Sequence, residues 1–115
     1  MNVNIQTQGF ALTPSIGSRV HERINSALDR YGQDVVSIDV FLRDINGPKG
    51  GEDKQVGIRL HVRHLAPITV ISTHSDLYRA IDTSVRRAAR SAKRSISRFR
   101  RIRRRGLHQL VMAEG

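Results

Sequence analysis

Arg86, Arg87, Arg90, Lys93, Arg94, Arg98 and Arg101 recur through the last third of the chain at the spacings that stack side chains along a helix. At 100° per residue Arg87, Arg90, Arg94, Arg98, Arg101 and Arg105 gather on one side. The chemistry open to such a cluster is anion binding, because planar guanidinium forks pair bidentately with phosphate oxygens and stack on bases. Arg19, Arg23 and Arg30 form a second basic group on another helical segment. Residues 1–85 hold nine Lys/Arg against nine Asp/Glu, whereas residues 86–115 hold eleven against one, Glu114, so the entire net charge of +10 belongs to the last thirty residues. Each close like-charge pair costs about 0.2–0.5 kcal/mol, and no acid between Asp82 and Glu114 relieves it. A face kept at that cost is the footprint of a polyanion site.

Other chemistries find no comparable group of residues. With no cysteine there is no disulfide, thiol nucleophile or thiolate metal site. His61 and His64 are three apart on a strand pattern and point to opposite faces, and His21, His74 and His108 have no partner at ligand spacing. The stretch Gly47 to Lys54 lacks the Gly-Lys-Ser/Thr ending of a phosphate loop and leads into a strand. Asp39, Asp44, Asp76 and Asp82 form no convergent pair, and Asp82 is placed to support local helix packing or to pair with Arg79 or Arg86 on its own helix. The expectation is a protein that is not an enzyme, with no catalytic residue, metal, cofactor or small-molecule substrate. No apolar run approaches the ~20 residues of a membrane span, and Ser84, Ala88, Ala92 and Ser95 suit close packing on a sheet better than insertion into lipid. The start, MNVNIQTQ, lacks the regions of a signal peptide; a cytoplasmic location without membrane partners is expected.

The elements that must position the arginines follow from periodicity. Residues 1–8 alternate, with Val3, Ile5 and Thr7 on one side. Thr13 and Pro14 open a helix running to Tyr31 on the stripe Ile16, Val20, Ile24, Ala27, Leu28 and Tyr31, with Gly32 to end it. Residues 34–45 read as a strand with Val36, Ile38, Val40 and Leu42 on one face; 46–53 is loop composition; 54–64 alternates with Val56, Ile58, Leu60 and Val62 inward; 68–73 is a further strand. A long helix then spans 75–105, capped by Ser75 with Asp76 in its first turn. Its stripe runs from Leu77 through Ile81, Val85, Ala88, Ala92 and Ile96 to Phe99 and Ile102, and Gly106 is placed to end it. The predicted fold class is α+β, a β-α-β-β-β-α two-layer sandwich. It has a four-stranded mixed sheet, strands one and two parallel and the last three an antiparallel meander. Both helices lie on one face, similar to double-stranded-RNA-binding modules. Residues 1–105 are expected to form a single domain and 106–115 a short flexible tail.

RNA is favoured over duplex DNA because nothing reads as a helix-turn-helix, zinc finger or basic zipper, and helices on a small antiparallel sheet suit reading of shape and phosphate. Aromatics for stacking are few: Phe10, Tyr31, Phe41, Tyr78 and Phe99. The mechanism that follows is contact with the RNA backbone, with strong salt dependence.

The run Asp76-Leu77-Tyr78-Arg79-Ala80-Ile81-Asp82 resembles the Asp-Met-Tyr-Ala-Ala-Ile-Asp signature that opens the second helix of the ribosome hibernation-promoting factor and ribosome-associated translation inhibitor family. The alternating third strand and the Thr-led first helix fit as well, over roughly residues 1–100. The resemblance implies a bacterial ribosome-binding protein that sits on the 16S-type rRNA of the small subunit. There it would block the mRNA and tRNA channel and silence idle ribosomes under stress or in stationary phase. It matches Arg87, Arg90, Arg94 and Arg98 to basic positions of the family's second helix and Arg23 to one on its first. Arg19, Arg30, Arg86, Lys93 and Arg101 complete the expected rRNA-binding face. The 46–53 segment is longer and richer in glycine than the family's usual loop, and Arg98 to Arg105 is denser in arginine. The brief tail resembles the branch that permits pairing of idle ribosomes, and the sequence leaves pairing open. It also leaves open a structured-RNA-binding regulator acting off the ribosome.

Overall fold

A computed structural model describes residues 1–45 and 53–114, with side chains through 107. The chain order is β1 (Asn2–Gln8), α1 (Pro14–Leu28), a 3-10 turn (Asp29–Tyr31), β2 (Val35–Asp44), β3 (Lys54–Val62), β4 (Ile68–His74) and α2 (Leu77–Glu114). The sheet order is β1-β2-β3-β4. β1 pairs parallel with β2, and the other two pairs are antiparallel. This is the expected α+β sandwich with both helices against one face. The glycine-rich connection expected at 46–53 lies, apart from Asp53, outside the described residues.

Local chemistry explains the element boundaries. Thr13 caps α1, its hydroxyl accepting from Ile16 N at 3.2 Å, and Pro14 occupies the first turn where an N–H would go unused. The residues beyond Leu28 tighten into the 3-10 turn that ends at Gly32. Gly9, at φ +92°, brings its α-carbon against β2, where a Cβ would sit 3.0 Å from Asp44 Cβ. That position needs glycine both for the dihedral and for the space. Asp76, not Ser75, caps α2: its Oδ1 accepts from Tyr78 N at 2.9 Å, while Ser75 Oγ lies 3.4 Å from His74 Nδ1.

The core joins Ile16, Val20, Ile24 and Leu28 of α1 to the inward rows of β2 and β3 and to Ala80, Ile81, Val85, Ala88, Ala92 and Ile96 of α2. Small residues at 80, 84, 88 and 92 bring α2 close enough for Ser84 Oγ to donate to Val56 O at 2.9 Å. Two features differ from the periodicity. A register shift between Val35 and Ser37 turns Val35 inward and leaves Val36 51% exposed, because the bulge interrupts strict alternation. The apolar stripe of α2 leaves the body after Phe99, which stacks on His64 at 5.8 Å, and Ile102 is 56% exposed. Gly106 does not end α2; the helix continues to Glu114. One glycine costs about 1 kcal/mol in a helix interior, and strong helix formers on both sides outweigh it. No described helix is long and apolar enough to cross a membrane.

On the uncovered sheet face, Asp39 Oδ2 accepts from His61 Nε2 at 2.8 Å and Oδ1 from Asn4 Nδ2 at 3.3 Å. The His61 hydrogen bond, helped by Asn4, holds the Asp39 carboxyl below its ordinary value of 3.8. A depressed acid contributes stability that is present above its unfolded value and lost as pH falls through its folded one. Thermal melts from about pH 5 to about pH 2 should therefore show the gap between the wild type and Asp39→Asn closing on the acid side; a gap constant over that range would show that the network adds no stability.

Candidate nucleic-acid interface

The two helices run in the same sense, with Arg19 beside Asp82 near their starts and Asp34, just after the 3-10 turn, bonded to Arg100 at 2.6 Å near the far end. Nine of the ten expected basic residues lie on the two helices, and Arg30 stands on the 3-10 turn that follows α1.

On α1, Asp82 collects two guanidinium groups. Arg19 Nε and Nη2 donate to its two carboxylate oxygens at 3.2 and 3.0 Å, and Arg23 Nε lies 3.0 Å from Oδ1. The partner of Asp82 is therefore the neighbouring helix and not Arg79 or Arg86, a tertiary contact that no spacing along α2 encodes. The Asp82 hydrogen bond raises Arg19 above its ordinary value, against a smaller opposing effect of burial. Arg19 also lies over the Tyr78 ring, 5.2 Å from its centroid, so Tyr78 packs on a cation. With two cations on one carboxylate, the cluster keeps a net positive charge and fixes the direction of both forks. Arg30 stands apart on the 3-10 turn, exposed.

On the other flank of α2, Arg87 Nη1 donates to Ile71 O at 2.7 Å and Ser72 Oγ at 3.0 Å, pinning that side chain to β4. Between the flanks, Arg90, Lys93, Arg94, Arg98 and Arg101 line one open trough along the exposed surface of α2 together with Ser97. Arg86 is exposed one turn before it. Arg103 and Arg104 extend the basic surface beyond the body, around a second depression lined by Ser97, Arg100 and Leu107. Their charge was legible in the sequence; their full exposure follows from the exit of α2 from the core.

The arrangement presents fixed and free guanidinium groups along an open ridge, and no group of three metal-ligating side chains converges among the described residues. Its class is a small two-layer α+β domain with a cationic helical layer, suited to an extended anion. The chain belongs to the family described as sigma-54 modulation protein / S30EA ribosomal protein, which matches residues 3–100. Among solved structures it is similar to the Protein Y N-terminal domain of Thermus thermophilus, at 26% identity and TM-score 0.68, covering 82% of this chain and 98% of that one. It shares its fold with a ribosomal subunit interface protein from Coxiella burnetii, at 14% identity and TM-score 0.72, covering 84% and 99%. No match is found among curated protein sequences.

Proposed function

We propose that this protein is a cytoplasmic ribosome hibernation factor. Its body, residues 1–105, docks its helical layer on the rRNA of the small subunit, fills the mRNA and tRNA channel and silences translation in stationary phase or stress. The family and the ribosomal subunit interface protein that shares its fold support ribosome association. The single observation that carries the RNA contact is the open trough of Arg90, Lys93, Arg94, Arg98 and Arg101 on α2. Arg19, Arg23 and Arg30 extend that contact to the first helical segment, and Arg86 and Arg87 border it. Inhibition is by occupancy: the domain makes and breaks no bond, and it excludes mRNA and tRNA by holding their place. Residues 106–115 lie outside the docking body, and paired idle ribosomes are compatible with this pose.

Gradient sedimentation with separated subunits tests the reading. The protein should travel with small subunits, compete with mRNA and tRNA for them, and dissociate steeply as salt rises, with a log–log slope of about −0.7 to −0.9 per phosphate neutralised. Equal affinity for any structured RNA, without competition on the subunit, would favour a regulator acting off the ribosome.

A further inference from the structure

The uncovered face of the sheet carries an apolar row that the helical interface does not use. Strand register places Gln6, Phe41, Gly57 and Ile71 side by side across all four strands. Phe41 and Ile71 are 37% and 54% exposed, and Gly57 between them has no side chain. A Cβ on Gly57 would stand 3.8 Å from Ile71 and 3.9 Å from Phe41, so the glycine forms the floor of a slot walled by an aromatic ring and a branched aliphatic side chain. The depression holds about 380 Å³ and is rimmed by Gln8, Arg43 and Gln55. A second depression of about 250 Å³ opens on the Gln6 side of Phe41, so the ring stands between two hollows.

The flanking rows decide what fits. One holds Gln8, Arg43, Gln55 and Thr73, the other Asn4, Asp39, Arg59 and Thr69. Arg43 and Arg59 are exposed, and among the described residues neither forms an ion pair within 4 Å; the one acid on these rows, Asp39, is hydrogen-bonded to His61 and Asn4 and also feels the charge of Arg59, its register partner. A flat apolar slot with amides at its lip and cations on either side matches a planar base with its phosphates, the way aromatic residues on a four-stranded sheet stack unpaired bases. A second copy of this chain fits less well: it brings the same net +10, and the apolar row is narrow and bounded by polar rows.

We infer that the Phe41–Gly57–Ile71 slot takes an unstacked nucleotide of ribosomal RNA, so that the domain meets RNA on both of its faces. This rests on the ribosome-binding reading for the source of the nucleotide but not for the slot itself.

The test compares an oligoadenylate of about eight nucleotides with an abasic ribose-phosphate strand of equal length and charge. The wild type should prefer the base-bearing strand by roughly 5- to 150-fold, the range expected for stacking one base on an aromatic ring. Phe41→Ala and Gly57→Leu should each bring that ratio near one, while Phe41→Trp keeps it, with circular dichroism confirming the fold. Arg90→Glu, Arg94→Glu and Arg98→Glu together should weaken both strands and leave the ratio intact, which separates the slot from the helical ridge. On mRNA-free small subunits Phe41→Ala should bind more weakly by a similar factor. Equal wild-type binding of the two strands, a ratio that survives Phe41→Ala, or unchanged subunit binding by that variant would each overturn the inference. So would a dimer that Phe41→Ala abolishes with no effect on RNA. Failure of the wild type to bind subunits at all would sink the ribosomal reading and this nucleotide's source together, and the oligonucleotide ratio would still report on the slot.

Discussion

Replacing Arg90, Arg94 and Arg98 together by Glu is expected to abolish sedimentation with small subunits while leaving the fold intact. All three are exposed and line the same trough, and none holds the core together. Arg87 is left out because its guanidinium is bonded to Ile71 and Ser72 on β4. Each reversal removes two charges, so three take the net charge from +10 to +4. At about 1.5 kcal/mol per charged hydrogen bond, three lost phosphate contacts cost about 4.5 kcal/mol, roughly a thousandfold in affinity before any new repulsion is counted. The salt dependence should flatten by about three phosphates' worth of slope. Far-ultraviolet circular dichroism and a urea melt check the fold, and the removal of crowded positive charge should leave the melt unchanged or slightly more stable. Undiminished co-sedimentation of a folded triple variant would move the interface away from the trough.

The converse variant is Ile81→Ala. Ile81 has no accessible surface and lies in the part of α2 that packs on the sheet and on α1. Truncating a buried Ile to Ala costs about 2–5 kcal/mol, from lost transfer energy and from the cavity left behind. A domain of this size has about 5–15 kcal/mol to lose. The urea midpoint should fall at nearly unchanged slope, since the same surface is exposed on unfolding. Because every arginine remains, affinity per folded molecule should change little. On the proposed reading the two variants therefore separate holding the fold together from holding the RNA. A variant with unchanged midpoint would show that α2 can repack over the missing side chain.

The features legible in the sequence are local and those that escape it are non-local. The stripe of α1, the inward row of β3 and the Thr13–Pro14 start are local patterns, and the fold repeats them. So is the asymmetry of charge, which placed the basic group on α2. The bulge after Val35 could not be read, because alternation through Val36 and Ile38 looks regular until a partner strand imposes its register. Nor could the partners of Asp82, since Arg19 and Arg23 are some sixty residues away in sequence and adjacent only once α1 docks. The stripe through Ile102 is a true helical periodicity, but the sheet beneath it stops. The Phe41–Gly57–Ile71 row requires three registers at once, and each of its residues is unremarkable alone.

The exit of α2 from the body beyond Arg100, which is still bonded to Asp34, also bears on association kinetics. From Arg100 to Arg105 is five residues, about 7.5 Å of helix at 1.5 Å per residue. That distance is close to the Debye length of about 8 Å at physiological ionic strength. The terminal guanidinium groups are carried outward by about one screening length, so they sense a polyanion before the bulk of the domain does. Such a projecting charge acts mainly during encounter, orienting the molecule so that α2 leads. On the proposed rRNA-binding reading its contribution belongs to the rate of arrival, and the trough and the Asp82 cluster would govern how long the protein stays.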